Sequence, residues 1–547
     1  MPSIAAQDLI RRAKKVRERQ TPWHQHWDDL ARVMVPRLLG FSEETIRGDS
    51  RVDDIFDGTP MRAARGLANA LSSMLRPEGE KWFYIRADAP GISEQDDARM
   101  WLEDSEKRLM SALDNPKARV RDTLGGTDLS LVVFGTSCFF IGESDDNKNL
   151  QFRGVHLKEA AIDWDNDGDA YAMYRFHRIS VRSAVDRFGM KNLGEEALNC
   201  LKYKKEDKEL TYIHAVIPRK DRLVRGSLAR NMEYASYWIE EASEKIVSKS
   251  GFHEFPFITP RMDLAPNENY GRSPGMIALP DSNTLQAMGE TLLTAGQKAA
   301  EPPIMAPNDG SFTEANTMPG GITYYDASLA SKVRGNPIFP LSMGGNIPIT
   351  REMQADVREQ VFAAFFRNVL NLPVSGPEMT ATEVIQRKQE FLREVGPLFG
   401  RLETNYLAPM VERSFNVMLR AGGFLPIPPI LTGQNIQFEY ESPVKRIRTQ
   451  VEAAAASMWV ADTVNLSQVK PGVLDNLNED EYVRFQHEAA KLPQRLINPA
   501  QQVDAQRQAR AEQMQAEQEA SEAALGVDMA KTGADAAKSL AQAGITE

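Results

Sequence analysis

The chain has 547 residues, is 42% hydrophobic and 26% charged, and carries a formal net charge of −11. These proportions fit folded protein rather than a disordered chain, and the length exceeds one compact core, so roughly two to four domains are expected. The acidic balance does not suit a protein that grips nucleic acid, because such affinity comes largely from neutralising phosphates.

The longest apolar run, LVVFGTSCFFI at 131–141, is broken by Gly135 and reads as a buried turn and strand. It falls short of the roughly 18 residues a membrane span needs, so no membrane partner is expected. The N-terminus, MPSIAAQDLIRRAKKVRERQ, lacks the apolar core of a signal peptide. Its basic residues read as the solvated face of a helix carrying Ile4, Leu9, Ile10 and Val16. Cys138 and Cys200 are too few for a disulfide framework and lack metal-ligand spacing, which points to a reducing cytoplasm.

Residues 1–75 read as helical, with a helix starting at a Thr21 cap and Pro22 and carrying Trp23, Trp27, Leu30 and Met34. A second helix carries Leu67, Leu71, Met74 and Leu75 and ends at Pro77. KWFYIRA (81–87) follows as a strand, and 94–113 and 120–134 read as helices. From 136 to 260 the pattern becomes alternating strands: SCFFIGE, LQFRGVH, AYAMYRFHRI, ELTYIHAVI, EYASYWIE and EKIVSKSGF. Residues 273–300 form a helix capped by Ser273 and kinked or restarted at Pro280, with an Ala/Gly-rich second half that permits close approach. A Pro/Gly-rich module with little strand or helix spans 301–349, and a further helix spans 350–371. After a short loop, Thr380 and Glu383 make a capping-box pattern that opens a helix reaching Gly422 and Gly423, about 60 Å long and bent at Pro397 and Pro409. NIQFEYES (435–442) is a strand, 443–490 is mainly helical, and the Ala/Gln/Glu-rich 499–547 is an exposed helix or a disordered arm.

Candidate chemistry is sparse. DWDNDGD (163–169) matches the first half of a calcium loop, but position twelve is Tyr174 where Glu is required, so a hairpin turn is favoured. In WHQHW (23–27) the two Trp share a helical face, giving a core-anchoring helix with wet His24 and His26. KYKKEDKEL (202–210) reads as a solvated edge. No phosphate loop, dinucleotide fingerprint, G-x-S-x-G or H-E-x-x-H occurs, so no catalytic, metal or cofactor residue is assigned and no enzyme is expected. The distinctive feature is architectural: two helices flank an inserted module, and a short loop then leads into a very long helix. Neither of the two helices can bury enough surface alone, so the pair requires neighbours.

With that order in view, the chain resembles the portal (head-to-tail connector) proteins of short-tailed, podovirus-type bacteriophages. The resemblance covers about 1–490 and is carried by IFDGTPMRAARGLANALSSMLRPEGEKWF (55–83), FGTSCFFI (134–141), YGRSPGMIALPDSNTLQAMGETLLTAGQKAAEPPIM (270–305) and TATEVIQRKQEFLREVGPLFGRLETNYLAPMVER (380–413). It implies an α+β, mainly helical portal fold assembled as a dodecameric ring at one capsid vertex. By order, 1–270 is the wing, 271–300 and 350–371 the stem helices, 301–349 the clip, and 372–379 the tunnel loop. Residues 380–442 are then the long wing helix and return strand, 443–498 the crown, and 499–547 an extension or tail. The implied partners are double-stranded DNA in transit, the terminase large subunit, a tail adaptor, major capsid and scaffolding proteins, and internal core proteins. The implied place is the virion's head–tail vertex, after assembly in the host cytoplasm.

The resemblance makes Leu372, Pro373, Val374, Ser375, Gly376, Pro377, Glu378 and Met379 the DNA-facing loop, which carries no Lys or Arg. Lys298, Arg351, Arg358 and Arg367 lie among Glu290, Glu301, Glu352, Asp356 and Glu359, and are expected to form inter-subunit ion pairs or light DNA contacts, with ion pairs favoured. The alternatives are another ring component of the same machine (an adaptor or internal core protein), a packaging ATPase, which the missing phosphate loop disfavours, and a plain scaffold protein.

Overall fold

The computed structural model describes the chain apart from residues 1–4, 43–47, 49–50, 53, 90–95, 145–148, 220–230, 309–315, 317, 327–338, 341–346, 368–392, 442, 469, 491–496, 499–501, 504, 516–530, 535–537 and 540–547. It divides into two units, Met1–Lys445 and Arg446–Glu547.

Helix α1 (Ala6–Met34) runs unbroken through Pro22, so Thr21 is not a helix start. Proline in a helix interior costs about 3 kcal/mol. The buried stripe Leu9, Ala13, Val16, Gln20, His24, Trp27, Ala31 and Met34 keeps helical spacing on both sides of it, and packing of that stripe outweighs the loss. Trp27 is fully buried, with the rings of Phe41, Phe134 and Tyr270 at 5.4, 6.4 and 5.4 Å. His24 lies in the same core rather than in solvent, and burial, followed by Arg17, lowers its pKa to about 4.

Helix α2 (Thr59–Leu75) leads to strand β1 (Phe83–Ala87), then α3 (Asp96–Asp114) and α4 (Val120–Phe134). Strands β2 (Phe139–Glu143) and β3 (Leu150–Gly154) pair antiparallel. The following sheet is an antiparallel meander, from β4 (Ala160–Trp164) and β5 (Ala170–Ser180) to β6 (Glu209–Pro218), β7 (Tyr234–Glu240) and β8 (Lys245–Phe252). The DNDGD turn joins β4 to β5 as a hairpin. In it Asp165 Oδ1 accepts from the amides of Asp167 and Asp169 at 3.0 and 2.7 Å, and Gly168 takes φ +86°.

The strand-only expectation for 136–260 is corrected by two short helices between β5 and β6, α5 (Val181–Phe188) and α6 (Glu195–Lys202). Ser180 caps α5, whose Val181, Ala184 and Phe188 recur on one face and pack with Trp238 and Val247. The start of α6 is satisfied from a distance, since buried Glu240 on β7 accepts from the Gly194 and Ala197 amides at 2.9 and 3.2 Å. On the opposite sheet face, Leu9, Ile10, Ala13 and Val16 of α1 pack against Ala172, Tyr174, Phe176, Ile213 and Ala215. The sheet is thus covered on both sides, which is why β6 reads as a continuous apolar run.

Strand β9 (Phe257–Ile258) completes the β2–β3 sheet and precedes α7 (Pro274–Ala300). Helix α7 is continuous through Pro280, with no restart there. The Pro/Gly-rich module holds more strand than expected. In it β10 (Ile304–Asn308) pairs parallel with β11 (Ile322–Asp326) and antiparallel with β12 (Phe339–Pro340). Helix α8 (Ile347–Ala364) ends before 371: the Phe366 amide donates to Ala363 O at 2.9 Å and Phe366 takes φ 56°, a left-handed turn that cannot continue a helix.

Residues 393–402 are helical through Pro397, a π-helical turn spans Glu403–Leu407, and α9 (Ala408–Arg420) follows. The extra residue of the π turn lies just before Pro409, which has no N–H to give an α-helical ladder. Gly422, at φ +72°, and Gly423 close the helix by donating to Leu419 O and Met418 O, a Schellman arrangement. Strand β13 (Ile436–Tyr440) pairs antiparallel with β1, placing Phe83 opposite Tyr440.

In the second unit, α10 (Pro443–Ser467) and α11 (Glu479–Ala489) pack through Gln486 Nε2, which donates to Ala453 O and Ser457 Oγ at 2.9 and 3.0 Å. Residues 505–515 are helical, and Arg507 pairs there with Asp480.

Candidate functional site: the α7–α8 pair and its root

The base of α7 is fixed to the end of α4 by backbone contact. Gly135 ends α4 at φ +74°, and a Cβ there would lie 2.1 Å from Gly271 O; a Cβ on Gly271 would lie 2.3 Å from Gly135 O. Only two glycines permit this approach. Thr136 Oγ1 accepts from the Gly271 amide at 2.8 Å, and the Ser273 hydroxyl donates to Val133 O at 2.7 Å while capping Met276 N. The short stretches FGT and YGRSPG therefore dock on each other and set where α7 begins.

More than three turns further along α7, a second fastening joins the segment before α2 to α7 and α8. The Asp57 side chain is 4% exposed. Its Oδ1 accepts from Thr59 N at 2.8 Å, and its Oδ2 accepts from Arg358 Nε and Nη2 at 2.9 and 2.7 Å. Gln286 completes the clasp, accepting from the Phe56 and Asp57 amides and donating to Asp57 O at 2.7 Å. Burial alone would raise the Asp57 carboxyl, but hydrogen bonds from Thr59 and Arg358 and the Arg358 charge bring it below its ordinary 3.8. Gly289 lets this segment lie against α7, since a Cβ there would meet Phe56 Cβ at 2.9 Å.

Behind the root lies a buried polar triad. Arg76, after α2, pairs with Asp128 of α4, whose Oδ1 accepts from Tyr406 OH of the π turn at 2.8 Å. The guanidinium also lies 5.1 Å from the Tyr406 ring centroid. Burial pushes the Asp128 carboxyl up against the opposing pull of Arg76 and Tyr406.

Away from the root the pair is bare. No residue of α7 beyond Leu285 is buried, and Leu293 and Met353 are 54% and 53% exposed. Of the charges expected there, Arg358 pairs within the chain with Asp57. Its partner lies so far away in sequence that local charge alternation could not reveal it. Arg367 stacks over the Phe362 ring at 3.9 Å. Arg351, Glu352, Asp356 and Glu359 are exposed, as are Glu290 and Glu301, while Lys298 is half-buried; none has an ion pair among the described residues. The loop Leu372–Met379 lies outside the described residues. Asp57, Gln286, Asp128 and Tyr406 carried no functional sequence signal; only Asp57, just before the GTP that opens α2, stood at a recognisable helix start.

Such an arrangement orients two long helices and leaves their far surfaces exposed. Among the described residues, no group of three or more His, Cys, Asp or Glu could hold a metal ion, and no helix is long and apolar enough to cross a membrane.

Known proteins similar to this chain identify its family. The chain is 27% identical over 512 residues to the probable portal protein of Bordetella phage BPP-1, covering 92% of this chain and 91% of the relative. It is 26% identical over 523 residues to the portal protein of Salmonella phage epsilon15, covering 94% and 92%. A solved structure described as the neck of an empty GTA particle computed with C6 symmetry aligns with a TM-score of 0.33 at 9% identity, over 74% of this chain and 89% of that one. The family model described as bacteriophage head to tail connecting protein matches residues 6–497, so a helix pair rooted by glycines and a buried clasp belongs here to a head-to-tail connector of the phage portal family.

Proposed function

We propose that copies of this chain form a dodecameric ring at one capsid vertex, the conduit for genome packaging and ejection. The observation that carries this reading is the half of α7 beyond Leu285, where no residue is fully buried and Leu293 is exposed, because a helix so thinly covered by its own chain is stabilised by neighbours. In this assignment residues 1–270 form the wing, α7 and the 350–371 segment the stem, 301–349 the clip, 380–442 the long wing helix and return strand, and 443–498 the crown. The clip would take the terminase large subunit and then the tail adaptor; the wing would meet capsid and scaffolding proteins, and the crown internal core proteins.

The pore is passive, and a separate ATPase supplies the work. Leu372–Met379 would face double-stranded DNA without a cation, so it adds no phosphate contact, and passage in both directions stays nearly free. With Arg358 paired inside the chain, Lys298, Arg351 and Arg367 remain as stem cations for pairing with Glu352, Asp356 or Glu359 of a neighbour. Negative-stain images of purified protein should show closed rings with a central hole, and a monomer inside mature particles would overturn the reading. Deleting residues 373–378 should leave rings intact and impair packaging or DNA retention; unchanged phage yield would remove the loop's role.

A further inference from the structure

We propose that the cavity between the start of α4, the turn after α1 and strand β3 binds a phosphate-bearing ligand. It is an open groove of about 460 Å³ lined by exposed Arg37 and Arg119 and half-buried Arg153, each from a different element. Asp122 is the only carboxylate on its wall, so the site carries two net positive charges in a chain whose balance is −11. Arg153 donates to Gln151 Oε1 at 2.6 Å, whereas Arg37 and Arg119 have no ion pair among the described residues. The hydroxyls of Thr123, Ser130 and Ser137 line the same space, and among the described residues no hydrogen bond engages them.

Two positions on this wall run against the needs of the fold. Arg119 sits at φ 55°, where glycine would be relaxed and a side chain is strained. Gly126 sits inside α4, where alanine would favour the helix, and a Cβ there would meet nothing within 4 Å. The chain thus places a cation where glycine suits the backbone, and glycine where a side chain suits it. Both choices serve the cavity: one supplies a guanidinium, and the other leaves the wall low. Several guanidinium forks with hydroxyl donors match the oxygens and double charge of a phosphate better than a single carboxylate. The groove receives one phosphate group at a time, so the ligand is a free phosphate compound or one phosphate of a nucleic-acid strand.

The test is isothermal titration of the full chain at low salt with inorganic pyrophosphate, a short single-stranded oligonucleotide and hexaglutamate. One of the phosphate probes should bind, and R37Q/R119Q/R153Q should weaken it about ten-fold or more. Arg119→Gly should keep or raise Tm by relaxing the backbone and still weaken binding several-fold. Pyrophosphate as the tighter ligand identifies a free compound, and the oligonucleotide as the tighter one identifies a strand. The proposal is overturned if neither phosphate probe binds better than to the triple variant, if hexaglutamate binds as tightly, or if Arg119→Gly binds like the parent. Ring images of the same variants should be unchanged, which separates this site from the ring reading.

Discussion

The root of the α7–α8 pair and its far half obey opposite rules. At the root both carboxylate oxygens of Asp57 are matched inside the chain and two glycine backbones touch, whereas beyond Gly289 no residue of the helix is fully buried and Leu293 faces solvent. One region is finished by the single chain; in the ring proposed above, the other would be finished by neighbouring copies. Stability of the isolated chain and competence of the assembly should therefore respond to different substitutions, and that separation can be tested.

The largest loss is expected from Arg76→Ala. It strands the buried Asp128 carboxylate, and removing one member of a buried pair costs about 3–5 kcal/mol. Thermal unfolding of the monomeric form should fall accordingly, and an unchanged Tm would show that the triad does not support the root. Gly135→Ala should cost about 2–4 kcal/mol, from left-handed strain and the clash with Gly271 O, read in the same melt. Asp57→Asn should cost about 1–3 kcal/mol by weakening the Arg358 pairing.

The Asp57 variant also predicts a pH signature. Because the folded carboxyl lies below its ordinary 3.8, its contribution is fully present above that value and is lost as pH falls through the folded pKa. Parent and variant melts should therefore converge toward acid, and a constant gap would exclude Asp57 as the titrating group. The smallest effect on the monomer, within about 0.5 kcal/mol, is expected for Leu293→Ser and Met353→Ser, exposed positions in the single chain. The same changes should lower ring yield by size-exclusion chromatography, and unaffected rings would assign that face to something other than neighbouring copies.

Local order was largely readable from the residues. The spans of α2, α3 and α4 and most central strands follow from periodicity, and Ser273 announced α7 by its cap. What escaped was decided by distant partners. Pro22 looked like a start because a cap and a proline stood together, yet an apolar stripe longer than either signal kept α1 intact. The charges of the 350–371 segment suggest pairs between subunits because opposite signs lie close in sequence, and no local signal reveals that Arg358 also pairs with a carboxylate far up its own chain. The α6 start is likewise satisfied by Glu240, two strands later in the sheet. The π turn followed from no periodicity at all; Tyr406 is placed by a buried carboxylate that sequence spacing cannot reveal.

The mutual approach of Gly135 and Gly271 has an evolutionary corollary. When a bulky core residue is enlarged, a neighbour can usually shrink to make room, but here the obstacle on each side is the other's carbonyl, and nothing smaller than glycine exists. Reciprocal compensation is therefore closed to this pair. A lineage that lost either residue could recover only by moving the whole start of α7, and with it every subunit's alignment in whatever assembly α7 helps to build.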